Sequence, residues 1–175
     1  MQPIITQRLI LRTFEPGDEE AAFGFFGDPE VMRFSLNGVH ISRKPTADFI
    51  VANQNRQQRL GYSIWAVVER ASDALIGMCG LAEFGHGIDG VELAYRIRRN
   101  RWGQGLASEA GLACVEHAFS ELKLERLIAA VEPANLPSVR VIEKCGFVQI
   151  ARRPVSGKDA FLCELEQSDW LAFQI

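Results

Sequence analysis

The sequence predicts a mixed α/β sheet, and three observations lead there. Short apolar runs with strand-like alternation recur along the chain. Strand, helix, strand and helix follow one another in its middle, and paired strands joined by turn residues stand on both sides.

The first strand is expected over Ile4 to Phe14, where Leu9 and Leu11 alternate with polar neighbours. Pro16-Gly17-Asp18 is a turn, and Asp18 can cap a helix running through Phe26. A short helical piece follows Asp28-Pro29, with proline in a first turn. A longer helix is expected from Thr46 to Arg59, stopped before Gly61. Ser63 to Glu69 and Leu75 to Glu83 form an antiparallel hairpin across Ala71-Ser72-Asp73. Gly85, Gly87 and Gly90 mark the connection into a fourth strand, Val91 to Arg98. Its period of two puts Val91, Leu93, Tyr95 and Ile97 on one face and Glu92, Ala94, Arg96 and Arg98 on the other, unless a β-bulge shifts them.

Leu106 to Leu122 has the helical period, with apolar residues at 106, 110, 112, 115, 118, 119 and 122. Arg126 to Val131 is a buried strand. Asn135 caps the next helix, Pro137 suits its first turn and Gly146 ends it. Phe147 to Arg152 and Asp159 to Glu166 close the chain as a strand pair across Ser156-Gly157.

The 175 residues suit one domain spanning 1–175, with 47% hydrophobic and 23% charged residues, an ordinary globular balance. The apolar runs are too short to span a bilayer, and MQPIITQRLILR lacks the layout of a signal peptide, so the expected location is cytoplasmic, with no membrane partner. The net charge of −3 gives no reason to expect a nucleic-acid partner. Cys79, Cys114, Cys145 and Cys163 form no CxxC pair, and His40, His86 and His117 lack ligand spacing. Buried reduced thiols and no metal are the reading.

Asn100-Arg101-Trp102-Gly103-Gln104-Gly105-Leu106-Ala107-Ser108 joins a strand to a helix through two glycines. Such a turn gathers backbone N–H groups at the positive end of a helix, which suits a diphosphate. A P-loop is excluded because no Lys-Ser or Lys-Thr follows Gly105. A dinucleotide fold is excluded because Ser108 stands where its third glycine belongs and the strand is not the first.

The segment resembles the CoA-pyrophosphate turn of GNAT acetyltransferases, [QR]xxGx[GA]. Gly103 and Gly105 match it, and Asn100 takes the usual Gln/Arg position. QRLILR, DPEVMRF, ELAYRI, WGQGLASEA and ANLPSVRVIEKCGF, in that order over nearly the whole chain, look like the RimJ/RimL-like branch that acetylates ribosomal-protein N-termini. The resemblance implies a mostly antiparallel GNAT sheet with a central parallel pair, flanked by helices. It implies acetyl-CoA as co-substrate and an amine acceptor, either a protein N-terminus or a small molecule.

Carried over residue by residue, the resemblance gives Tyr95, Arg96 and Ile97 a main-chain role toward the pantetheine arm. Trp102, Gly103, Gln104, Gly105, Leu106, Ala107 and Ser108 would cradle the pyrophosphate, and Asn135 would bond the arm, cap its helix, or do both. Trp102 either packs on the cofactor or buries its ring at the helix start. Arg96, Arg98, Arg99 and Arg101 are a basic cluster that could meet the 3′-phosphate, bind RNA, or be a solvated strand end.

Acyl transfer to an amine needs a deprotonated nucleophile and a donor for the developing oxyanion. The departing thiolate can accept a proton. Direct attack in a ternary complex meets these needs, with the oxyanion donor a backbone N–H of the Ala94–Ile97 stretch. Glu92 is the first candidate for general base, with a structural or substrate-binding carboxylate as the alternative. Glu132 comes next, and Glu109 reads as a helix first-turn charge. The tyrosine acid usual in the family would fall at position 142, which is Ile142, so the resemblance points to Ser138 instead. Cys145 has no nearby histidine in sequence and is not read as a nucleophile. A non-catalytic acyl-CoA sensor is the alternative function. The acceptor pocket is expected from Phe25 to Phe34, the Thr46–Arg59 helix and the Ser156 turn, and a homodimer is left open.

Overall fold

The computed structural model describes residues 2–35, 38–85 and 88–172. His86 and Gly87, part of the expected glycine-rich connection, lie outside them. In chain order the elements are β1 (Ile4–Ile5), β2 (Leu9–Arg12), α1 (Glu19–Phe26), α2 (Pro29–Met32), α3 (Arg43–Leu60), β3 (Ile64–Glu69), β4 (Ala74–Glu83) and β5 (Val91–Ile97). After these come α4 (Leu106–Ser120), β6 (Arg126–Val131), α5 (Leu136–Lys144), β7 (Val148–Val155), β8 (Lys158–Glu166) and α6 (Gln167–Ala172).

The strands make one eight-stranded sheet in the order β1-β2-β3-β4-β5-β6-β8-β7. All neighbours are antiparallel except β5 and β6. This is the expected mixed sheet with a central parallel pair. The crossover through α4 is what allows β6 to run parallel to β5.

Two apolar layers sandwich the sheet. On one side α4 and α5 bury Leu106, Ala110, Cys114, Val115, Phe119 and Ile142 against Leu9, Leu11, Trp65, Val67, Leu93 and Ile97. On the other, α1, α2 and α3 bury Phe25, Phe26, Met32 and Ile50 against Ile64, Ala66, Val68 and Met78. The period-two reading of β5 holds through an unbroken register with β4.

Several details depart from the sequence reading. The first strand breaks into β1 and β2, because Thr6 Oγ1 accepts the Leu9 N–H and both Thr6 and Arg8 turn toward Glu109. Asp18 makes no side-chain cap on α1. Its carboxylate accepts a two-pronged bond from Arg12, at 2.6 and 2.9 Å, and the Glu15 N–H. The long helix begins three residues earlier than expected, at Arg43, because Pro45 is compatible with a helical first turn. Leu112 is exposed, and Gly111 and Cys114 take the buried stripe of α4. The short α6, absent from the sequence reading, extends the closing strand, and Trp170 packs on Phe119.

Candidate active site

β5 and β6 meet and then part. They pair only at Val91↔Leu127 and Glu92↔Ile128, and beyond that the sheet is split down its middle. The bonds from Phe84 N–H to Gly90 C=O and from Arg98 N–H to Ile76 C=O fix the phase of the β4–β5 ladder. Alternation then directs the backbone groups of residues 92, 94 and 96 to β4, and those of Tyr95 and Ile97 into the split. The split opens into a cleft of about 1110 Å³.

At the C-terminal end of β5 the chain turns through Gly103 and Gly105, at φ 75° and 76°, before entering α4. Both are in the left-handed region, where a side chain would strain the backbone. Among the described residues, the N–H groups from Gly103 to Ser108 donate to no acceptor. Such a run at the positive end of a fifteen-residue helix suits an anion.

A buttress on the far side holds this turn. Glu109 accepts from Thr6 Oγ1 at 2.6 Å, from the Arg8 N–H at 2.8 Å and from Arg8 Nε at 2.6 Å. Arg8 Nη1 in turn donates to the Gln104 carbonyl at 2.9 Å. In a trans peptide the N–H opposes the C=O, so fixing that carbonyl outward turns the Gly105 N–H away from Arg8. Burial pushes the Glu109 carboxyl upward, but the hydrogen bonds from Thr6 and Arg8 outweigh it and hold the group ionised below its ordinary range.

Glu92, Tyr95, Arg96, Ile97, Trp102, Gly103, Gly105, Leu106, Ala107, Ser108, Asn135 and Ser138 all line the cleft. Gln104 lines a separate hollow with Gln7, Arg8 and Glu69, with its carbonyl held by Arg8, while its N–H belongs to the unbonded run. Arg96 needs a correction, since the ladder commits its main-chain groups to β4 and its side chain alone reaches the cleft. Trp102 is 49% exposed and donates its indole N–H to the Ile97 carbonyl at 2.7 Å, so its ring is not buried at the helix start.

Asn135 caps α5 by accepting the Ser138 N–H at 3.3 Å. The Tyr95 hydroxyl donates to the Ser138 carbonyl at 3.1 Å and clasps β5 to α5 below the split. Burial raises the Tyr95 phenol well above its ordinary pKa, so it stays a donor. Ser138 Oγ bonds to no described residue.

Burial raises Glu92 to about pKa 7 against the opposing charge of Arg96. Glu132 is tied to Lys158 Nζ at 2.9 Å, and Lys158 also reaches the Ser35 carbonyl at 3.4 Å. Of the basic cluster, Arg101 forms a two-pronged pair with Glu69 and Arg98 donates to the Ala21 carbonyl. Those two act within the fold, and Arg99 is exposed. Burial raises the Cys145 thiol to about 12, which removes it as a nucleophile at neutral pH.

On the outer side the cleft is walled by Glu30, Val31, Arg33 and Phe34, by Phe49, Asn53 and Arg56 of α3, and by Val155, Ser156 and Lys158, within the segments expected to form the acceptor pocket. Phe25 and Phe26, placed there by the sequence, are core residues. The Arg8–Glu109 buttress, the Tyr95 clasp and the Lys158 tie were not foreseen, because each joins residues far apart in sequence. Among the described residues, no group of three or more His, Cys, Asp or Glu side chains could hold a metal, and no helix is long and apolar enough to cross a membrane.

A split parallel pair beside an unbonded run of N–H groups suits an extended ligand that ends in an anion. The family model "Acetyltransferase (GNAT) domain" matches residues 8–148. YkkB of Bacillus subtilis is 32% identical over 147 residues, covering 82% of this chain and 83% of its own. The N-acetyltransferase YnaD of the same organism is 33% identical over 143 residues, covering 82% and 81%. A GNAT-family acetyltransferase structure from Bacillus anthracis superposes with a TM-score of 0.83 at 26% identity, covering 95% of this chain and 99% of that one. A Vibrio cholerae protein provisionally assigned as a ribosomal-protein-serine acetyltransferase gives 0.78 at 26%, covering 94% and 97%. The V. cholerae spermidine N-acetyltransferase bound to CoA and spermine is 20% identical with a TM-score of 0.78, covering 95% and 99%, a likeness of fold.

The chain belongs to the GNAT acetyltransferase family and is an acyltransferase.

Proposed function

We propose that the protein moves an acetyl group from acetyl-CoA to a primary amine by direct attack, with both substrates in the cleft. The observation that carries this is the strand split, which leaves the Tyr95 and Ile97 backbone facing an opening beside the unbonded Gly103–Ser108 cradle. Those groups suit an extended, amide-bearing arm ending in a diphosphate, and acetyl-CoA supplies the acetyl thioester.

The chain's own residues then have distinct tasks. Glu92 takes the amine proton, directly or through water, and its pKa near 7 suits a base at neutral pH. The Tyr95 N–H faces the split and donates to the oxygen that becomes negative. Ser138 Oγ relays a proton from cleft water to the departing thiolate and so stays a neutral hydroxyl. One N–C bond forms, one C–S bond breaks, and the amine's proton leaves through Glu92 to solvent, which balances the proton taken up by the thiolate. Gly103, Gly105, Leu106, Ala107 and Ser108 hold the diphosphate through main-chain N–H groups, and Asn135 orders the α5 end of the channel.

Calorimetry with acetyl-CoA and CoA, followed by thiol release against amines and N-terminal peptides, tests the reading. Binding with amine-dependent release is expected. Binding without release on a broad panel would favour an acyl-CoA sensor instead. The buried, high-pKa carboxylate facing the acceptor side of the cleft is what favours transfer over sensing.

A further inference from the structure

The face of β5 turned toward α1–α3 presents Glu92, Ala94 and Arg96 to the cleft, a carboxyl and a guanidinium four residues apart. Arg96 differs from its neighbours in the basic cluster. Protein surrounds it on most sides, and burial lowers its guanidinium pKa against the opposing pull of Glu92. Among the described residues, the one hydrogen bond of its side chain runs from Nη2 to Ser35 Oγ at 2.8 Å. Among the described residues, no carboxylate lies within ion-pair distance of it. Arg12, Arg101 and Arg126, by contrast, each hold a carboxylate.

Arg96 is half-buried, lines the cleft and holds no carboxylate, so donors of its fork remain for a ligand anion. Glu92 feels Arg96 electrostatically but does not pair with it. The two opposite charges therefore flank an opening on one wall. A molecule that spans it presents its amine to Glu92 and an anionic oxygen pair to Arg96.

Resting on the acetyltransferase reading above, we propose that the acceptor is an amine that also bears a carboxylate, and that the Arg96 side chain binds that carboxylate. Two sources offer this chemistry: a free amino acid, or an acidic side chain close to a peptide N-terminus. The fork of donors suits a carboxylate better than a polyamine, whose second cation Arg96 would repel.

The test pairs amines that differ only in the carboxylate, compared at equal concentrations of unprotonated amine. Glycine and β-alanine are set against their amides, and peptides beginning Ser-Asp against peptides beginning Ser-Asn. The carboxylated member should exceed its twin in kcat/KM by about tenfold or more, and Arg96→Gln should bring that ratio close to one. Arg96→Lys should keep part of it. The pair showing the larger ratio names the source. Equal rates within every pair, or a ratio untouched by Arg96→Gln, overturns the proposal. So does an Arg96→Gln variant whose loss is confined to acetyl-CoA affinity.

Calorimetry of β-alanine and the Ser-Asp peptide against the CoA-loaded protein reads the anion site without turnover. If no amine releases thiol, the transferase reading fails alone, and Arg96-dependent binding of either carboxylate still supports the site. Absence of that binding overturns the site. Turnover of uncharged or cationic amines only would leave the transferase standing and remove the carboxylate.

Discussion

Glu92 is placed to do two things, and both follow from taking a carboxyl out of water. As a base it must be ionised, so kcat/KM should rise with pH through about 7. The acceptor amine must also lose its proton, with a pKa of about 8 for a peptide N-terminus and about 10 for a lysine-like amine. Below the lowest of these values a log–log profile for either amine should have a slope near two. Glu92→Gln should lower the rate and leave a slope of one throughout, and a slope of two surviving in the variant would remove Glu92 from the proton path. The stability effect has the opposite sign. The unfolded chain releases this proton near 4.5 and the folded protein near 7, so its stabilisation is complete below 4.5 and is lost as pH rises through 7. Thermal melts should therefore show Glu92→Gln more stable than the parent at pH 8, by about 1 kcal/mol after allowing for water in the cleft, and level with it near pH 4.5. Ser138 gives a simpler expectation. Removing a hydroxyl that bonds to no described residue should leave stability nearly unchanged, and Ser138→Ala should lower kcat by about tenfold if that hydroxyl protonates the thiolate.

Among the elements, α4 carries the largest share of the site, because its first turn is both cradle and anchor. The Glu109 carboxylate holds Thr6 and Arg8, and Arg8 fixes the Gln104 carbonyl. Glu109→Ala should raise the KM for acetyl-CoA by about three- to tenfold while moving kcat less, because a loosened turn binds the diphosphate poorly. Steady-state kinetics at saturating amine reads this directly. Further along, α4 passes so close to α5 that a Cβ at Gly111 would stand 2.8 Å from Cys145 Sγ. Gly111→Ala should destabilise by about 1–2 kcal/mol, the clash outweighing alanine's helix preference. Adding Cys145→Ala should return part of that loss, and strictly additive denaturation energies would show that the contact is not the cause. Most of these elements were legible in the sequence, since Arg126–Val131 and the helix starts at Asp28 and Asn135 follow from period and capping residues alone. The break at Thr6–Arg8 was not, because it is imposed by Glu109 about a hundred positions later. Asp18 was misread for a related reason: its partner, Arg12, lies on a strand rather than in the helix.

At the scale of the whole molecule, the sheet is divided by its own parallel pair, with the layer of α4 and α5 on one side and that of α1 to α3 on the other. A ligand lying in the split would join strands whose direct pairing, among the described residues, is confined to Val91 and Glu92 on one side and Leu127 and Ile128 on the other. Acetyl-CoA at a hundred times its dissociation constant should stabilise the fold by about 2.7 kcal/mol, a shift that thermal melts would register. Hydrogen exchange should slow at the Tyr95 and Ile97 amides, and unchanged exchange there would place the ligand elsewhere. The glycine turn and the strand before it could be found from sequence because their chemistry is contiguous. The acceptor side could not, because it is assembled from α2, α3, β5 and the β7–β8 turn, whose side chains meet only after folding. That division bears on how such a protein can change. Along β5, in-plane main-chain groups address the donor, while side chains standing out of the plane address the acceptor. The two kinds of recognition share a strand but not a direction. Side chains at 94 and 96 can therefore be exchanged for others without disturbing the ladder that would receive the donor, while Glu92 stays as the base. One strand would thereby support a constant acyl source and a variable recipient.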